Sequence, residues 1–207
     1  MIRGVLSLSI ALFGLGQPAG EAFQEPADYF PRSLYETTVT CRPFGVETRW
    51  ALLSEFKAGR YADQLDAAGE APLFDREGQV LRFTWLRSRH APVIVRLETA
   101  ADGRVTMTAT ELTGRGGGYP GEIARRIERG LSAAEVADLA RVLERTRALE
   151  QPPTGCDFEL QGAQWLLEST GPEGYRFVER LSPRDGPVRE VGLYLIRLTG
   201  WRYGAVY

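Results

Sequence analysis

Apolar and polar residues alternate three times in the middle of the chain: Leu81, Phe83 and Trp85, then Val93, Val95 and Leu97, then Val105, Met107 and Ala109. A period of two puts each set on one face of a strand, with Arg82, Thr84, Arg96, Glu98, Thr106 and Thr108 on the other. The connections 88–92 and 101–103 are short and rich in turn residues, so these strands predict an antiparallel meander with one core face and one largely wet face. A second hairpin is predicted from 164–170 and 175–181, joined by Gly171-Pro172-Glu173-Gly174.

A period near 3.6 marks the helices. Ser132-Ala133-Ala134-Glu135 is a capping box, and Val136, Leu139, Ala140 and Leu143 form a stripe to be buried before Pro152-Pro153 ends the segment. Residues 186–198 are apolar over more than half of a helical surface, through Val188, Val191, Leu193, Tyr194, Leu195, Ile196 and Leu198, which predicts a helix lying against a sheet. Val46, Trp50, Leu53 and Phe56 fit one helical face over 46–56, with Thr48 as its cap, and 61–68 reads as a second short helix. A strand is expected over 34–41 and a helix over 122–128. The class is α+β: an antiparallel meander sheet with helices packed on one face.

The N-terminal pattern differs from all of these. Arg3 precedes a short apolar run from 5 to 15, and Gly20-Glu21-Ala22 ends on small residues, the layout of a cleavable export signal over 1–22. The run falls short of the roughly 20 residues that a membrane span requires, so no anchor is expected after cleavage. The remaining 23–207 is long enough for one globular domain. Export to the periplasm or medium brings Cys41 and Cys156 into an oxidising compartment, where a disulfide between them is expected.

Composition adds exclusions. With 43% hydrophobic and 25% charged residues the full chain has the profile of a folded protein. A formal charge of −2 with interspersed signs gives no nucleic-acid surface. Lys57 is the only lysine among 25 basic residues, an arginine bias that fits a GC-rich bacterial genome. His90 alone cannot build a Cys/His metal cage, no serine is framed as Gly-x-Ser-x-Gly, and neither a metal nor a cofactor is expected.

Two groups remain as candidate chemistry. The glycine-rich stretch 114–121 follows a strand, so its amides are candidates to cradle an anion, with Arg115, Arg125 and Arg126 as charged partners; it lacks the lysine and hydroxyl of a P-loop. Glu168 and Glu179 are the candidate catalytic carboxylates. A turn centred on Pro172-Glu173 sets Glu168 opposite Phe177, which puts Glu179 on the same face at a diagonal separation of about 7–8 Å, a spacing that acid/base pairs use. Trp85, Trp165, Tyr175 and Phe177 read as core or cross-strand partners.

The stretches GRGGGYPGEIARRIERGLS, from Gly114, and GAQWLLESTGPEGYRFVERLSPRDGPVREVGLYLIRLTGW, from Gly162, resemble a family of uncharacterised exported bacterial proteins. Its pattern is a Gly-Gly-Tyr-x-Pro-Gly turn, a Trp-x-x-Glu strand, a Tyr-bearing strand ending in Ser-Pro and a Leu-rich last helix. The matching positions are 117–121, Trp165, Glu168, Tyr175, Ser182-Pro183 and 193–198. The resemblance implies export and a single domain, and carries no activity. Where that family often has Asp before Gly162 and His after Tyr175, this chain has Gln161 and Arg176, which argues against a shared reaction. The sequence therefore leads to a non-catalytic exported protein that binds an envelope component or another protein. The alternatives are an extracellular or periplasmic hydrolase using the Glu168/Glu179 pair, and a secreted inhibitor or immunity-type protein.

Overall fold

The computed structural model describes residues 29–157, 161–204 and 206–207. Residues 1–28, which include the expected signal at 1–22, lie outside the described residues. The strands β3 (Gln79–Arg87), β4 (Val93–Thr99), β5 (Val105–Leu112), β6 (Ile123–Gly130), β7 (Ala163–Thr170) and β8 (Arg176–Leu181) form one antiparallel sheet in the order β6-β5-β4-β3-β7-β8. A separate ribbon pairs β1 (Thr38–Cys41) with β2 (Thr48–Ala51). The helices are α1 (Ser33–Glu36), α2 (Glu55–Ala67), α3 (Ala133–Thr146) and α4 (Pro187–Leu198). This is the α+β meander that the alternation implies.

The alternating apolar set builds the core beneath α3 and α4. Phe83, Trp85, Val95, Met107, Trp165 and Val191 are buried there, and Trp85 and Trp165 pair across β3 and β7 with ring centroids 5.6 Å apart. Gly192 lets α4 approach this aromatic floor, because a Cβ there would lie 2.6 Å from the Trp165 ring. Beyond α4 the chain runs on over the same face. Arg87 stacks between the Trp85 and Tyr203 rings, 4.3 and 4.6 Å from their centroids, and both buried indoles donate to the Tyr207 carbonyl, at 3.1 and 3.0 Å.

The opposite face, expected to be wet, is covered by α2 and the segment leading into β1. Tyr29, Phe30, Ala58, Tyr61 and Leu65 pack there on Leu86, Ile94, Leu166 and Phe177. Arg82, Thr84 and Thr108 are consequently buried. Polar alternation signalled exposure only so long as no second layer was in view.

Two helices expected from local spacing are strands, and two other expectations hold in part. Residues 46–56 do not form a helix: β2 pairs with β1, placing Trp50 opposite Val39, and α2 starts at Glu55, where the Ser54 hydroxyl accepts the Lys57 amide at 3.4 Å. The supposed stripe is open at both ends, since Val46 and Phe56 are exposed. The expected helix at 61–68 belongs to this same α2, and the expected strand at 34–41 divides into α1 and β1. Residues 122–128 are not helical either; β6 pairs with β5, and Arg125 bonds Glu111 across the ladder at 2.5 Å. For 46–56 and 122–128 pairing with the preceding strand, β1 for β2 and β5 for β6, overrides local spacing.

Cys41 and Cys156 are bonded, with alpha carbons 5.5 Å apart and a sequence separation of 115. A disulfide fits a non-cytoplasmic protein. Among the described residues no helix is long and apolar enough to cross a membrane.

Candidate functional site

Helix α3 starts as its sequence dictates. The Ser132 hydroxyl accepts the Glu135 amide at 3.3 Å, and the Glu135 carboxylate accepts the Ser132 amide at 2.8 Å. Arg129 at the end of β6 binds both Glu135 oxygens, at 2.7 and 3.0 Å, and the Tyr194 hydroxyl of α4 donates to the Glu135 carbonyl at 2.8 Å. First by the Arg129 bond and then by the Ser132 amide, the Glu135 carboxyl is held down at about 2. At the other end Arg147 closes the helix in the left-handed region at φ 49°, and Arg145 bridges to Glu190 of α4 at 2.6 Å.

These ties fix the ends of α3 but not its middle. Of the stripe expected to be buried only Leu139 is; Val136 and Leu143 are half-buried and Ala140 is exposed. Between this stripe and the sheet lies a cleft of about 660 Å³. Val80, Leu81, Leu97 and Val105 form its floor, Val136, Leu139 and Leu143 one wall, and Leu149 closes an end. Its mouth is polar: Arg147 bonds Glu150, and Arg176 bonds Glu173 at 3.3 Å, so both charge signs rim an apolar interior.

Glu168 and Glu179 are elsewhere. The register sets Glu168 opposite Phe177 and Glu179 opposite Leu166, which places both carboxylates on the α2 face. Both are buried, and neither lines the cleft. Glu168 receives a bidentate Arg82 guanidinium, 2.9 Å at each oxygen, and the Tyr175 hydroxyl at 2.9 Å. Arg82 also donates to the Ala71 carbonyl at 2.7 Å and lies 3.7 Å from Glu70, which Arg96 meets at 3.0 Å. Burial alone would loosen the hold of Arg82 on its proton. The Glu168 and Glu70 charges more than reverse that, and its pKa ends above the ordinary value. Glu179 is held by Lys57 at 2.6 Å and the Tyr61 hydroxyl at 2.9 Å. Burial and then the neighbouring carboxylates push the Tyr61 and Tyr175 phenols up, so both remain donors. Each glutamate thus has its own cation and tyrosine: Glu179 ties β8 to α2, while Glu168 ties β7 to β3, whose Arg82 reaches the Ala71 carbonyl beyond the end of α2.

The anion candidates do not converge. Loop 114–121 folds down on the β3–β4 turn: the Gly116 amide donates to the Arg87 carbonyl at 2.9 Å, and a Cβ at Gly116 would lie 2.5 Å from the Arg87 nitrogen. The amides of Gly114, Arg115 and Gly118 also bond within the loop. Its glycines therefore permit close packing. Arg125 and Arg126 are successive on β6 and point to opposite faces, one to Glu111 and the other to Thr110 and the Ala68 carbonyl, while Arg115 is exposed. His90 lies in the β3–β4 turn, bonded to the Tyr207 hydroxyl. Among the described residues no cluster of three His, Cys, Asp or Glu is placed to hold a metal.

The α3 cleft is the feature that sequence reasoning missed. The stripe looked like ordinary core, and only the spacing between helix and sheet turns it into a site. No protein-family model matches the chain, and no curated protein matches it.

Proposed function

We propose that the chain is an exported, non-catalytic binding protein, cleaved after Ala22 and working in the periplasm or medium, and that the α3 cleft takes an envelope component with an apolar body and a polar end. The observation that carries this reading is the cleft itself, about 660 Å³ beside the sheet, lined mainly by apolar side chains with Gln79, Thr99, Ser169 and Thr170 among them and with Arg147, Glu150, Glu173 and Arg176 as its charged groups. Its volume is that of a pocket for one small molecule, about 300–1,000 Å³. A protein partner would call for a broad face of about 800 Å² on each side. A hydrolase using Glu168 and Glu179 has less support, because both would have to shed a bonded cation before handling a proton.

Titration with a fluorescent long-chain fatty acid tests the proposal. The expected result is saturable binding at one site, weakened about tenfold or more by Ala140→Trp, which fills the cleft from an exposed position on α3. Absence of saturable binding, or binding indifferent to Ala140→Trp, would overturn it.

A further inference from the structure

The opposite end of β3 carries a second pocket, of about 480 Å³, between the β3–β4 turn, the start of β7 and the approach to α4. Its charged lining consists of Arg89, Arg184 and Arg189, with no acidic side chain among the described residues. Elsewhere on the sheet Arg82, Arg87, Arg96 and Arg125 all face carboxylates. Arg89 and Arg184 are exposed and form no ion pair among the described residues; the adjacent Asp185 is exposed and does not line the pocket. Arg189 donates to the carbonyls of Pro183 at 3.0 Å and Val206 at 3.1 Å, which fixes its guanidinium without neutralising it.

Two hydroxyls complete the donor set. Ser88 Oγ accepts the Gly162 amide at 3.4 Å and Ser182 Oγ accepts the Ala163 amide at 3.0 Å, which uses an acceptor site on each and leaves each O–H to donate. Ser182 has left-handed backbone at φ 45°. Its amide bonds the Ala163 carbonyl at 2.8 Å while its hydroxyl receives the Ala163 amide, so the same pairing holds the backbone and sets the hydroxyl on the pocket wall.

A wall with three guanidinium groups, two free hydroxyl donors and no carboxylate side chain among the described residues is matched by an anion with many acceptors. A phosphomonoester offers three peripheral oxygens and about two negative charges, whereas a carboxylate offers two oxygens and one charge. We propose that this pocket binds the phosphoryl group of a phosphomonoester, carried either by a free small molecule or by a lipid headgroup. Along β3 the nearest lining residues of the two sites, Leu81 and Ser88, are separated by about 23 Å. It therefore stands or falls independently of fatty-acid binding there.

The test is calorimetric titration at low ionic strength with inorganic phosphate and with glycerol 3-phosphate, beside sedimentation with phosphatidylcholine vesicles with and without phosphatidic acid. The expected result is saturable one-site binding in at least one arm, weakened about tenfold or more in Arg89→Ala/Arg184→Ala and unchanged in Arg115→Ala. Both substituted arginines are exposed, and circular dichroism checks that the fold is kept. Binding of the soluble phosphates alone identifies a free ligand; binding that requires phosphatidic acid identifies a headgroup. No saturable binding in any arm, or equal binding by the double variant and wild type, would overturn the proposal.

Discussion

Glu168→Gln isolates one charge in the α2-face network while keeping its shape. The side chains of Arg82 and Glu168 are both fully buried, and their two 2.9 Å bonds account for one whole edge of the guanidinium. For unit charges centred about 4 Å apart, an effective dielectric near 20 gives an attraction of about 4 kcal/mol. Removing one member of a buried pair costs about 3–5 kcal/mol, because the other charge stays in the core. Glu70, 3.7 Å from Arg82, supplies partial compensation, so the expected loss is near the lower end, about 3 kcal/mol. For a chain of this size that lowers Tm by about 6–12 °C. The assay is urea unfolding followed by tryptophan emission, which reports on the buried Trp85 and Trp165. Arg82→Met/Glu168→Leu removes both charges and leaves the Arg96–Glu70 pair, so it should cost less than Glu168→Gln alone. A Glu168→Gln protein within about 1 kcal/mol of wild type, or a double variant as unstable as the sum of its singles, would refute the network as a buried electrostatic lock.

Reduction of the Cys41–Cys156 bridge, which spans 115 positions, should cost about 5 kcal/mol by loop entropy and leave cleft affinity unchanged at temperatures where the reduced chain remains folded; thermal melts with and without reductant measure it. Gly192→Ala sets a Cβ 2.6 Å from the Trp165 ring and 2.8 Å from Phe83, so a loss of about 1–3 kcal/mol with altered near-ultraviolet dichroism is expected, and a wild-type melt would sink that account. Folding lowers the Glu135 carboxyl from 4.5 to about 2, so its contribution is complete above about 4.5 and fades as pH falls toward 2. Access to solvent limits that contribution to about 1 kcal/mol, and Glu135→Gln should remove this part of the acid sensitivity of α3.

Much of the fold is legible because its determinants are local. The period-two runs of β3, β4 and β5, the Gly-Pro-Glu-Gly turn that sets Glu168 opposite Phe177, and the Ser132–Glu135 capping box each carry their signal within a few residues. The failures come from pairings that spacing within one segment does not show. Val46, Trp50, Leu53 and Phe56 share a helical spacing, yet β1 captures Trp50 into a ribbon. Arg82 finds Glu168 at a separation of 86 positions, so nothing near Arg82 announces that it will be buried. The cleft is less legible still: Val136, Leu139 and Leu143 read alike whether α3 touches the sheet or stands away from it.

The cleft stays open because polar ties at its ends oppose collapse in its middle. Apolar burial would draw the half-exposed Val136 and Leu143 onto Leu81, Leu97 and Val105. Such a movement must carry Glu135 away from Arg129 or the Tyr194 hydroxyl at one end, or Arg145 away from Glu190 at the other. The Arg129 contact is a bidentate charge-assisted pair, the kind of bond that resists partial rupture best. Val136 and Leu143 already pack in part against the core, and a ligand entering the cleft gains the apolar contact that they leave uncovered. It also meets walls already in place, so little of its binding free energy is spent on ordering α3.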